Sequence, residues 1–160
     1  MKLIPRRRKR RRPLEEVKRG VLLFLVFFAL SLIVHETSHL LAARALGYNP
    51  DLFYGVKFPN VYGYTHLDRP CESLLHIILI FSAGGFGAGL VFLALWAAIE
   101  DIVAKLLLSF FTFMQLSHGI LEALHGVGVL GMEWLSTGPV LVGMVSLVVF
   151  RVVYGRLGWW

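Results

Sequence analysis

The residues best suited to chemistry lie in the run His35-Glu36-Thr37-Ser38-His39. Histidines four positions apart on a helix stand one turn apart on one face, so both imidazoles can converge on a single cation, while Glu36 is placed to take a proton from a water that the cation acidifies. This is the H-E-x-x-H arrangement of zinc hydrolases. In a soluble helix such a match is often accidental. Within an apolar helix, two histidines and a glutamate without a metal would leave several polar atoms to satisfy, which favours function over plain packing.

A second group, His118, Glu122 and His125, is spaced i, i+4 and i+7 and so shares one helix face. That face is expected to point at His35 and His39 and to supply a third ligand. Glu122 is favoured, because a carboxylate partly neutralises a cation in lipid. His118 and His125 remain alternatives. Counting along the helices puts Thr37 17 positions after Gly20, and 17 positions after Ile102 is Gly119, between His118 and Glu122. Histidines that do not bind the metal would orient ligands or stabilise developing charge. His66, His76, Arg44 and Lys105 read as loop or interfacial residues, the two long cations snorkelling to the interface.

The elements that must carry these residues are set by lipid. Of 160 residues 57% are apolar, above the roughly 45–50% of a soluble domain, and mean hydropathy is +0.70. Four apolar runs, 21–46, 73–99, 102–124 and 134–154, each reach the ~20 residues a bilayer span needs. The first is too long for a signal-peptide core and no small-residue cleavage site follows it. The expected fold is therefore an all-α membrane protein of four transmembrane helices, with residues 20–160 forming one domain. Between the first two spans, two aromatic and β-branched runs flank Pro59-Asn60 and predict a short β-hairpin at the membrane surface. Cys71 is the only cysteine, so neither an intramolecular disulfide nor a cysteine zinc ribbon is available.

The extended motif, through Leu40, Leu41, Ala42, Ala43, Arg44, Ala45, Leu46 and Gly47, resembles the site-2 protease family of intramembrane zinc metalloproteases. In that family the H-E-x-x-H helix carries small residues like Ala42 and Ala43, ends near a glycine, and leads into a membrane-associated β segment like Phe53 to Pro59. Ala83-Gly84-Gly85 looks like the family's Ala-Gly-Pro stretch, with glycine where proline is usual. Leu124-His125-Gly126 looks like its Leu-Asp-Gly motif, without the aspartate, which gives His125 the motif position. The resemblance implies peptide-bond hydrolysis in a membrane-anchored protein substrate, with one Zn2+ held by His35, His39 and a third ligand and with Glu36 as the proton acceptor. Phe53, Gly55, Val56, Gly84 and Gly85 are the expected substrate-binding residues, the hairpin taking an extended segment as an added strand. Close helix packing is the other role open to Gly84 and Gly85.

Two rival functions fit parts of this pattern: a metal-binding adaptor without activity, and a bis-histidine haem carrier, which gives Glu36 no task. Charge bears on orientation. Ten of the 16 Lys and Arg fall between Lys2 and Arg19, whereas from Gly20 onward there are six basic and eight acidic residues. The body thus gives no reason to expect a nucleic-acid partner, and the tail at 1–19 suits anionic lipid head groups. By the positive-inside rule both termini are expected in the cytoplasm, the reverse of the polarity usual in the family.

Overall fold

The computed structural model describes residues 13–57 and 60–158. The elements run α1 (Pro13–Ala45), β1 (Asp51–Lys57), β2 (Asn60–His66), α2 (Leu74–Ala98), α3 (Ile102–Gly126) and α4 (Met132–Arg156). All four helices are long and apolar enough to cross a membrane, and together they make a membrane-spanning protein. The polybasic run up to Arg12 and the terminal Trp159 and Trp160 lie outside the described residues.

Helix ends follow local chemistry. Glu15 and Glu16 sit in the first turn of α1 and Arg44 in its last, each matching the helix dipole. Termination falls at Gly47, whose φ of +84° is the left-handed conformation a glycine adopts freely. There the amide of Tyr48 donates back to the Ala43 carbonyl at 3.1 Å. Ser73 caps α2 by accepting from the His76 amide, and Asp101 caps α3 by accepting from Ala104.

The third helix is the hub, packing on α1, α2 and α4. Gly85 of α2 meets Gly119 of α3 so closely that a Cβ on Gly85 would collide with the α3 backbone. This is the close approach that small residues allow when lipid offers no hydrophobic drive for association. Toward the other end, Phe27, Phe92, Ala104, Leu108, Phe110 and Phe111 form a buried cluster, with Phe92 and Phe111 stacked at 5.3 Å. Of the α3 phenylalanines, Phe110 and Phe111 enter the core while Phe113 is exposed.

The hairpin is antiparallel, with register from Asp51↔His66 to Lys57↔Asn60. Asn60 is thus the first residue of β2, and Pro59, expected to share a turn with it, lies outside the described residues. Alternation gives the hairpin two faces. One carries a stacked ladder of Phe53, Tyr64 and Tyr62. The other lies against α1, where the Tyr54 hydroxyl donates to the Ile33 carbonyl at 3.4 Å.

Candidate metal centre

On α1, His35 and His39 present their rings to α2 and α3, and both are buried. The Nδ1–H of His35 donates to Oε1 of Gln115 at 2.8 Å. The Gln115 amide nitrogen in turn donates to Ser31, which fixes the amide the right way round. The Nδ1–H of His39 donates to the Ile80 carbonyl at 2.6 Å. In the tautomer in which both Nδ1 atoms carry the proton, each Nε2 offers a lone pair.

Those lone pairs converge. The two Nε2 atoms are 3.1 Å apart, and Oε1 of Glu122 stands 3.2 Å from that of His35 and 3.5 Å from that of His39. Four ligands in a tetrahedron about zinc, with arms of about 2.0 Å, stand roughly 3.3 Å from one another. The three measured separations bracket that value. In that tautomer two imidazole lone pairs and a carboxylate oxygen are aimed at one point, an arrangement that a cation among them would satisfy. Glu122 Oε2 is buried with no hydrogen-bond partner, a further sign that the carboxylate's charge is to be met by something other than the protein. The donor set could therefore hold a metal ion. Among the described residues, these three form the one group able to hold such an ion.

The other two candidates for the third ligand stand beside this set. His118 stacks on His35 with ring centroids 5.0 Å apart, and its Nε2 is 3.8 Å from Glu122 Oε1. His125 Nδ1 bonds the Leu130 carbonyl at 2.9 Å just past the end of α3. Hydrogen bonding thus ties His125 to its own helix terminus.

Glu36 is buried next to the donor set but is not part of it. The Thr65 hydroxyl of β2 lies 3.1 Å from its Oε2 and 3.1 Å from its main-chain carbonyl. With His39 and Glu122 it lines a cavity of about 330 Å³ that Gly63, Tyr64 and Thr65 border from the hairpin side and Met132 and Leu135 from α4.

The five expected substrate-binding residues separate. Gly84 lies against the candidate site, since a Cβ there would stand 2.6 Å from ring atoms of His39. Gly85 serves the α2–α3 crossing. Phe53, Gly55 and Val56 sit on β1, outside the cavity lining, and the strand that borders the cavity is β2.

Sequence reasoning missed Gln115, Ser31, Thr65 and the Ile80 carbonyl. The first two carried a signal: Ser31 is one turn before His35, and Gln115 is two turns before Glu122 on the same face. Thr65 and Ile80 carried none, because their contacts cross between elements distant in the chain. Known families, curated proteins and solved structures provide no match to this chain.

Proposed function

We propose that the chain is an intramembrane metalloprotease of the site-2 protease kind, hydrolysing a peptide bond of a membrane-anchored protein. The observation that carries this is the convergence of His35 Nε2, His39 Nε2 and Glu122 Oε1, with a second carboxylate, Glu36, beside it on the wall of a cavity among apolar helices. When bound, zinc supplies Lewis acidity toward a carbonyl and an acidified water.

The chain's own residues do the rest. Gln115 and the Ile80 carbonyl hold both histidines in the metal-binding tautomer. The Glu122 carboxylate supplies an anionic ligand, which offsets part of a cation's charge in a medium that penalises net charge. Glu36 takes a proton from the attacking water and returns it to the leaving amine. Because a helix hides its carbonyls, the substrate segment must be extended to react, and the edge of β2 is the nearer platform for it. The positive-inside rule favours a cytoplasmic N-terminus for the basic tail, and four spans would return the C-terminus to that side.

The haem alternative pairs His35 or His39 with His118 or His125, and the structure does not favour it: His35 and His118 stack directly on each other with ring centroids 5.0 Å apart, which leaves no room for a macrocycle between them. The test is elemental analysis of the purified chain beside His39→Ala, together with cleavage of a synthetic single-span peptide whose centre carries Gly-Pro to interrupt its helix. One zinc per chain, lost in the variant, and cleavage by wild type alone are expected. Wild type that holds zinc but leaves the peptide intact would favour a metal-binding adaptor.

A further inference from the structure

Glu36 lies on the flank of the ligand-bearing face of α1, about 100° around the helix from His35 and about 60° from His39. Rotatable bonds separate its carboxylate from the backbone, so α1 alone does not determine where the proton-accepting oxygen stands. A second element meets it there. The Thr65 hydroxyl is within 3.1 Å of both Oε2 and the main-chain carbonyl of Glu36. Two residues earlier on the same strand face, Gly63 is pressed so near that a Cβ would stand 2.6 Å from Glu36 Cγ. Tyr54, paired with Gly63 across the hairpin, bonds the α1 backbone at Ile33. Three contacts thus hold the hairpin against one turn of α1.

We propose that Thr65 is a positioning residue for Glu36, so that the hairpin as well as α1 sets the place of the general base. This rests on the protease assignment above. A hydroxyl suits the task because it orients a carboxylate without adding a cation that would weaken it as a base. With Oε2 held by Thr65, Oε1 is left for water. The strand that borders the cavity is also the strand that holds the base, so a segment paired to β2 is placed relative to Glu36 by the same backbone.

The experiment uses the full chain, zinc-loaded in detergent micelles, with the single-span Gly-Pro peptide as probe, and compares Thr65→Val, Thr65→Ser and Gly63→Ala. Thr65→Val is expected to keep wild-type zinc and to lower kcat about 10- to 100-fold, the size of one hydrogen bond to a charged group, with KM little changed. Thr65→Ser should restore kcat to within a few-fold of wild type. Gly63→Ala should lower kcat with zinc retained, because it displaces Glu36 while leaving the hydroxyl in place. An unchanged kcat in Thr65→Val, a loss that Thr65→Ser fails to restore, or a loss carried by KM alone overturns the proposal. Should Thr65→Val lose zinc through misfolding, Gly63→Ala decides, and wild-type kcat there overturns it. Zinc-loaded wild type that does not cleave overturns the protease assignment and this inference together.

Discussion

At the scale of single residues, the proposed mechanism gives metal holding and proton handling to different side chains. Glu36 is held by Thr65 and stands outside the converging set, so Glu36→Gln is expected to retain zinc while lowering peptide cleavage by about 10²- to 10⁴-fold, the usual contribution of a general base. Elemental analysis and turnover on the same preparation check it, and undiminished cleavage would remove the mechanism. The third ligand is tested by alanine at Glu122, His118 and His125. Only Glu122 has an oxygen within 3.5 Å of both Nε2 atoms, so Glu122→Ala should lose zinc most. His118→Ala and His125→Ala should stay largely loaded. A site emptied by His125→Ala and not by Glu122→Ala would move the ligand to the position suggested by the Leu124-His125-Gly126 resemblance.

At the scale of elements, the helix crossings determine whether those residues meet at all. Two adjacent glycines of α2 face different neighbours. Gly84 backs onto the His39 ring, and Gly85 onto the α3 backbone at Gly119. A methyl group on Gly84 meets the ring of His39, a proposed metal ligand, so Gly84→Ala is expected to reduce zinc affinity with a modest effect on unfolding. A methyl group on Gly85 meets main chain that cannot step aside, and overpacking of this kind costs about 1–3 kcal/mol. Gly85→Ala should therefore lower the unfolding temperature in detergent, whether or not zinc is present. Equal effects of the two substitutions on both zinc titration and thermal unfolding would contradict this division. Gln115 joins α1 to α3 through His35 and Ser31. Gln115→Leu leaves the His35 Nδ1–H without its acceptor, and zinc affinity should drop about 10- to 100-fold.

At the scale of the whole molecule, the two ends of the bundle differ. One end gathers an ion pair of Arg19 with Asp101, Lys105 over the Trp96 ring and the Trp96–Tyr154 hydrogen bond. The other carries the hairpin, Arg69 over the Tyr48 ring and Cys71. If the basic tail faces the cytoplasm, Cys71 faces outside and should react with an impermeant maleimide added to intact cells. Burial pushes the Cys71 thiol above its ordinary pKa, against a smaller opposing effect of Tyr48. Since the thiolate is the nucleophile, labelling should speed up as pH rises above neutrality. Labelling from the cytoplasmic side alone would reverse the orientation and match the polarity usual in site-2 proteases.

Four helices and a hairpin were legible in the sequence because lipid imposes length and apolarity on each span, and because alternating aromatic strands leave a local pattern. The pairing of His35 with His39 was legible for the same reason, a fixed helical spacing. Spacing also put His118, Glu122 and His125 on one face, but it could not choose among them. That choice depends on how α3 sits against its neighbours, set against α2 by Gly85 on Gly119 and against α1 by Gln115 reaching Ser31. Tertiary structure alone brought Thr65 to Glu36 and assigned the cavity wall to β2 rather than to Phe53, Gly55 and Val56. Those contacts join residues 29 positions apart through a strand packed on a helix, and the identity of neither residue announces the other.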